Sequence, residues 1–329
     1  MLIALYLLIA IFVWLLLTAG VLGYMEWEKG ERKSIKDKED IIDNSNQIAI
    51  THPLISQLYD QYSQTMIGQH DVFVWLMSCY LAGGHCLLTG LPGTGKTLAV
   101  KTFTQLMWLD MGRVQGTSDL LPADIVWSLI YNPKTSEFDT VFGPIMHECV
   151  LVDEINRMPS KTQSALLQAM AEGNIVVGQQ TYDLPDQFMV IATQNPHDRV
   201  GTFPLPQAQL DRFMCEVVVQ APGLEEQGKI LNQISEGRDD TLGRPLNNIL
   251  SVIGHAELVS LQSEYNNITI SSSITTAVAQ LIQDQWLSSR AGQQLISFAR
   301  AVALMQDHKQ IEQADIDYSL RYVTKHRLK

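Results

Sequence analysis

Between Met1 and Met25 the chain carries no Asp, Glu, Lys or Arg. As a helix rising 1.5 Å per residue this run would be about 37 Å long, more than the roughly 30 Å of a bilayer core. With no charge breaking any face, the pattern predicts one transmembrane helix over residues 1–25. Residues 26–50, with "EWEKGERKSIKDKEDIIDNSNQ", are charged and weakly periodic, and read as a solvated linker. Apolar patterning resumes near Leu54, passes through helical "VFVWLMSCYLAGG", and reaches the short apolar run "HCLLT", which predicts a buried strand. Strand-like and helix-like segments then alternate to about Ala221, predicting an α/β core over residues 51–221 with a mostly parallel sheet covered by helices. Beyond "APGLEE" the strand signals stop, and "SSITTAVAQLIQDQW", "AGQQLISFARAVALMQ" and "QADIDYSLRYVTKHRL" carry amphipathic helical spacing. Residues 222–329 therefore read as a helical lid.

The flanks of the first segment set its predicted orientation. Lys29, Arg32, Lys33, Lys36 and Lys38 follow it and no side-chain cation precedes it, so the positive-inside rule leaves everything after Trp27 in the cytoplasm, as a single-pass membrane protein. A cleaved signal peptide is the competing reading. It has "TAG" at Thr18–Gly20 as a cleavage pattern and, against it, no positive leading region.

Composition narrows the partners. A formal net charge of −12 argues against a broad nucleic-acid surface. Cys79, Cys86, Cys149 and Cys215 lie far apart with no C-x-x-C pair, and read as reduced core thiols. A lone histidine at a strand start, His85, reads as structural.

The candidate chemistry begins at "GLPGTGKT", Gly90 to Thr97, which joins the "HCLLT" strand to a helical segment. Gly90, Gly93 and Gly95 let successive N–H groups turn inward as an anion nest at a helix N-terminus. Pro92, Thr94 and Leu98 complete the predicted phosphate-binding segment. Lys96 would reach the β- and γ-phosphates of ATP, and the Thr97 hydroxyl would ligate Mg²⁺. A partner motif, "CVLVDEINR", ends an apolar strand in Asp153 and Glu154, at the strand end where open α/β sheets place ligands. Asp153 would hold Mg²⁺ through its water shell, and Glu154 is placed as the base for the attacking water. "FMVIATQNP" ends a further strand in Thr193, Gln194 and Asn195, and Asn195 reads either as a turn former or as a residue orienting water beside the γ-phosphate.

"GGHCLLTGLPGTGKT", "VQGTSDLLPADI", "GPIMHECVLVDEINR", "KTQSALLQAMAEG", "ATQNP" and "GTFPLPQAQLDRF" occur in the order and spacing of the MoxR-type AAA+ ATPases, which the chain resembles from Met66 to Phe213 and more weakly into the lid. The resemblance implies a P-loop NTPase of the AAA+ type that forms a ring, a homo-hexamer in expectation, and remodels a protein client as a chaperone does. It also implies a partner bearing a metal-binding von Willebrand A domain. Residue by residue it makes Gly93–Thr97 the Walker A loop, Asp153 and Glu154 Walker B, and Asn195 sensor 1. Arg212 in "LDRF" becomes an arginine finger for a neighbour's site, and Arg290 in "SSRA" takes the place of sensor 2. Two hairpins, around "SLIYNPKTSEFDTVFG" with Asn132–Thr135 as its turn and around "NIVVGQQTYDL", match those that project toward the pore in relatives. Departures from the pattern are "WLSS" before Arg290, without the usual Gly and Pro, and Trp127 where Gly is common.

Two functions compete at this level: a membrane-anchored motor that hydrolyses ATP to remodel a client, and an ATP-dependent assembly scaffold with little turnover. Glu154 and Arg212 favour the motor, because a scaffold needs no catalytic base. A nucleic-acid motor is disfavoured by charge, and the "GAFTGA" loop of AAA+ transcriptional activators is absent.

Overall fold

A computed structural model describes residues 47–196, 201–235, 253–285 and 287–327. Residues 48–329 form one compact unit. Its elements in chain order begin with α1 (Pro53–Thr65), α2 (His70–Leu81), β1 (Cys86–Thr89), α3 (Lys96–Leu106), β2 (Met111–Gln115) and α4 (Pro122–Ile125). There follow β3 (Trp127–Asn132), β4 (Glu137–Phe142), β5 (Cys149–Asp153), α5 (Ser160–Glu172), β6 (Asn174–Val177), β7 (Gln180–Asp183), β8 (Met189–Gln194), α6 (Gln207–Leu210) and β9 (Cys215–Val218). The remainder is helical: α7 (Leu224–Ser235), α8 (His255–Asn267), α9 (Ser272–Asp284), α10 (Ser289–Met305) and α11 (Gln313–Val323).

Five strands make one parallel sheet in the order β2-β5-β8-β1-β9. The central strands β1, β5 and β8 are largely apolar on both faces, as a sheet covered on both sides requires. Successive residues alternate between them: Cys149 and Leu151 enter the core shared with α1–α3 and the lid helices, whereas Val150 and Val152 enter the core under α5. The α/β core with a C-terminal helical lid is thus the architecture seen.

The transmembrane helix expected over residues 1–25 falls outside the described residues, and among the described residues no helix is long and apolar enough to cross a membrane. The fold is corrected accordingly to the core and lid alone, and the single-pass placement with a cytoplasmic domain, which depended on that helix, is withdrawn. The apolar length of residues 1–25 meets a requirement for spanning without establishing that a span forms. Most of the expected 26–50 linker also lies outside the described residues. Where description begins, Ile48 and Ile50 pack on the core, and the Thr51 and His52 amides donate to the Met305 carbonyl at the end of α10.

Both expected hairpins are present. β3 and β4 pair from Trp127↔Phe142 to Asn132↔Glu137, so the turn is Pro133–Ser136, one residue later than the sequence suggests. Asn132 and Ser136 close it, the Ser136 amide donating to the Asn132 carbonyl. β6 and β7 join through Gly178 and Gln179, with Gly178 at φ +64°, a conformation glycine adopts without a Cβ clash. At the first hairpin's base the Trp127 indole N–H donates to the Val176 carbonyl at 3.0 Å and ties the two hairpins together. Phe142 and Tyr182 add an edge contact with ring centroids 4.9 Å apart.

His85 is structural, as its position suggests. One ring nitrogen accepts from the Val190 amide (3.1 Å) and the other faces the Met170 carbonyl (3.2 Å), an arrangement that suits the neutral ring. Burial pushes its pKa down to about 4. Between the ordinary histidine value and about 4 the unfolded chain binds the proton and the folded chain does not, so this contribution is complete above about pH 6.5 and is lost as pH falls toward 4. From pH 7 to pH 5 we expect His85 to cost about 2 kcal/mol of unfolding free energy. His85→Gln should show a correspondingly flatter dependence in urea unfolding at the two pH values, and an unchanged slope would contradict the assignment.

Candidate functional site

Because β1, β5 and β8 run parallel side by side, the segments leaving their carboxyl ends meet at one edge of the sheet. A cavity of about 430 Å³ opens there, lined among others by Pro92, Gly93, Gly95, Lys96 and Thr97 from the loop after β1, by Asp153 and Glu154 from β5, and by Asn195 after β8. That volume falls in the range of small-molecule sites.

The loop backbone is shaped by its glycines. Gly93 and Gly95 hold φ of +80° and +83°, conformations that L side chains rarely adopt, and Gly95 starts α3. At Gly90 a Cβ would stand 2.6 Å from the Val219 carbonyl oxygen, so the chain just after β9 can approach this closely only because the residue is a glycine. Thr94 is fastened from both sides, its hydroxyl donating to the Leu91 carbonyl (3.0 Å) and its carbonyl accepting from the Gln69 side chain (2.9 Å). Lys96 Nζ donates to the carbonyls of Gly90 (2.9 Å) and Leu91 (2.6 Å). Its pKa is lowered by burial, against the opposing pull of Asp153 and Glu154. Such a lysine gains from an anionic neighbour.

Asp153 is the buried carboxylate of the cavity, and all its partners belong to the site. Thr97 Oγ1 donates to Oδ1 at 3.2 Å and Thr193 Oγ1 lies 3.4 Å from the same oxygen. Arg113 Nη2 and Nε reach Oδ2 at 2.7 and 3.0 Å. Glu154 follows in a left-handed conformation, φ +57°, which for a non-glycine residue marks strain held by its surroundings. Its amide donates to Thr193 Oγ1 (3.0 Å), and its carboxylate meets Arg157 (3.0 Å) and the Gln115 amide (3.4 Å). Beneath the loop, Thr89 donates to buried Glu216 (3.0 Å) and accepts from Gln194 (2.9 Å), joining the ends of β1, β8 and β9.

The structure therefore brings together the Gly90–Leu98 segment, Asp153, Glu154 and Asn195. It does not bring Arg212 or Arg290 to this cavity. Arg212 follows α6, its Nη1 donating to the Ala208 carbonyl (3.4 Å), and Arg290 lies in the first turn of α10. Ser288 caps α10, its hydroxyl accepting from the Ala291 amide at 3.1 Å, so the helix start that "WLSS" left open is fixed without Gly or Pro.

Sequence reasoning missed Arg113 and Gln115. The signal was there: in strand "MGRVQ" they are two apart, so both project to the same side, and their neighbour strand ends in Asp153. It also missed a thiol cluster. Cys79, Cys86 and Cys215, distant in sequence, place their sulfurs within 4.8 Å of one another in the apolar core. Cys86 and Cys215 are register partners on β1 and β9, which linear spacing could not show.

The family model described as "ATPase family associated with various cellular activities (AAA)" matches residues 85–215, and an AAA lid domain model matches residues 276–329. The uncharacterized protein YeaC of Bacillus subtilis strain 168 is 36% identical over 285 residues, covering 84% of this chain and 87% of its own. Chaperone MoxR1 of Mycobacterium tuberculosis is 32% identical over 297 residues, covering 85% and 76% respectively. A solved protein of Cytophaga hutchinsonii, described as a candidate ATPase, superposes with a TM-score of 0.74 at 30% identity over 92% of this chain and 91% of that one.

One backbone approach holds the carboxylate side of the site. The Gly116 amide donates to the Asp153 carbonyl at 2.7 Å, and a Cβ on Gly116 would lie 2.2 Å from the Glu154 carbonyl oxygen. Gly116→Ala should push the end of β2 off β5, costing about 1–3 kcal/mol in urea unfolding. Because Arg113 and Gln115 move with it, affinity for a fluorescent ATP analogue should fall as well. Wild-type stability and affinity in this variant would show that the close approach is dispensable.

Proposed function

The chain belongs to the MoxR family of AAA+ ATPases, and from that premise we propose that it binds ATP with Mg²⁺ and hydrolyses it to remodel a protein client in a chaperone-like way. The observation that carries the reading is the convergence of Lys96, Thr97, Asp153, Glu154 and Asn195 on one cavity. We assign residues 51–221 to nucleotide binding, residues 222–329 to the lid and 26–50 to a linker. In this reading the chain works as a homo-hexameric ring, with a von Willebrand A domain protein as partner.

The residues fit the nucleotide. The nest of inward amides around Gly93 and Gly95 suits phosphate oxygens, and the Thr97 hydroxyl beside the Asp153 carboxylate is a set of hard oxygen donors suited to Mg²⁺. ATP supplies the phosphoanhydride to be cleaved and Mg²⁺ the neutralising charge. Lys96 reaches the outer phosphates, with Pro92, Thr94 and Leu98 shaping the loop around it. Glu154 accepts the proton of the attacking water, and Gln115 and Arg157, which hold its carboxylate, set its aim. Asn195 orients that water. Arg290 approaches the nucleotide of its own subunit when the lid closes, and Arg212 reaches the γ-phosphate in the next.

Lys96→Ala should abolish ATP binding or nearly so, whereas Glu154→Gln should keep binding and lose turnover, since it removes the base but preserves size and polarity. Equal loss of nucleotide affinity in both variants would contradict the roles.

Arg212 tests the ring. Arg212→Ala should bind ATP and lose roughly 10³-fold or more in rate, the typical worth of an arginine supplied in trans. Lys96→Ala has an empty site and an intact finger. When the two variants are mixed equally, about a quarter of interfaces in a closed ring join an intact site to an intact finger. Activity should then recover measurably. Absence of recovery in mixed oligomers verified by mass photometry would leave Arg212 acting within its own subunit or the sites too tightly coupled to complement.

A further inference from the structure

Arg212 and Arg290, neither of which lines the cavity, are tied to each other through Asp211. Asp211 is the residue before Arg212 and closes α6. Its carboxylate accepts from Ser288 Oγ at 3.1 and 3.3 Å and from Arg327 Nε at 2.7 Å. The same Ser288 hydroxyl accepts the Ala291 amide and so starts α10, in which Arg290 is the second residue. One hydroxyl thus fixes the origin of the helix carrying Arg290 and grips the residue next to Arg212.

Arg327 reinforces the link from the lid's far end. Its side chain is only 4% exposed. Its guanidinium donates to the carbonyls of Phe213 (2.9 Å) and Asp211 (3.2 Å), and also to Gln294 on α10 and to the Val323 carbonyl on α11. His326 adds a contact from its ring to the Phe213 carbonyl at 3.1 Å. A buried guanidinium bonded on every side is costly to pull apart, because separation leaves a charge without partners. These contacts bond residues 211–213 to both α10 and α11.

We propose that Asp211 and Ser288 are positioning residues for ATP hydrolysis: they latch the Arg212 segment to the lid helix bearing Arg290, so that lid closure over one nucleotide sets the aim of the arginine presented to the next. The proposal rests on the reading of Arg212 as acting across a subunit interface. It assigns to Asp211 the coupling itself and leaves contact with the nucleotide to the two arginines.

Two substitutions at Ser288 separate the latch from helix capping. Aspartate caps helices as well as serine does, so Ser288→Asp keeps the start of α10 but sets one carboxylate against another at Asp211. Ser288→Thr retains both the cap and the hydroxyl donor. In the full chain we would measure deuterium uptake of the peptide covering residues 207–214, ATP-analogue affinity and steady-state kcat. Ser288→Asp should raise uptake in that peptide and lower kcat by about tenfold or more, with affinity within about threefold of wild type. Ser288→Thr should do neither, and Ser288→Asp combined with Arg212→Ala should be no slower than Arg212→Ala alone. Unchanged uptake in Ser288→Asp overturns the latch. Raised uptake with wild-type kcat, or additive losses in the double variant, overturns its positioning role. Full activity of Arg212→Ala by itself instead strikes the trans-acting reading, and the proposal with it.

Discussion

The site depends on parallel register. Thr89 pairs with Gln194 and Val152 with Ala192, so β1, β8 and β5 release their chains at the same level of the sheet, about one strand spacing apart. The loop from Gly90, the acidic pair 153–154 and the polar run 193–195 therefore face one another before any side chain is considered. Parallel strands impose a second demand, that both faces be covered, and the chain meets it with apolar residues on each. A change that slipped this register would scatter the site while leaving every motif intact in the sequence.

Within that frame the balance of charge is local. Asp153 and Glu154 stand beside each other at the end of β5, and each is met by a cation: Arg113 for Asp153, Arg157 for Glu154. The Asp153–Arg113 pair matters more, since Asp153 is buried and an unpaired buried carboxylate would be expensive. The pair at Glu154 is half exposed on both sides and contributes little to stability. Its value is directional, because it and Gln115 restrain a carboxylate whose backbone is already held in a left-handed conformation.

How much of this was legible follows from distance along the chain. The Gly90–Thr97 loop, the Asp153–Glu154 pair and Asn195 are each attached directly to strand ends, and the topology rule for open α/β sheets places them together. The hairpins were legible for the same reason, with the first turn misplaced by one residue where Asn132 extends β3. Arg113 and Gln115 needed the alternation of a short strand to be read against its neighbour. The Cys79–Cys86–Cys215 cluster and the Asp211–Ser288 link join residues far apart in sequence, and no local pattern encodes such a contact. The membrane helix was an inference from apolar length alone, and among the described residues nothing supports it.

The lid is not an independent body resting on the sheet. Leu295, Phe298 and Val302 of α10 share a continuous apolar core with Phe73, Trp75 and Leu76 of α2, and Trp75 meets Tyr322 of α11 with ring centroids 4.6 Å apart. Gln262 of α8 donates to the Leu81 carbonyl at the end of α2. Lifting the lid away would expose these side chains at about 1.5–3 kcal/mol each, far more than a nucleotide-driven step can spare over a whole interface. A displacement of the lid that kept this packing would have to slide α10 and α11 along α2 and not lift them from it. Residues 211–213 are bonded to that pair through Asp211 and Arg327 and are also anchored to the sheet, where Phe213 is buried in the core under α5 and the Met214 amide donates to the His85 carbonyl, so the Arg212 segment is the point at which lid and sheet are joined.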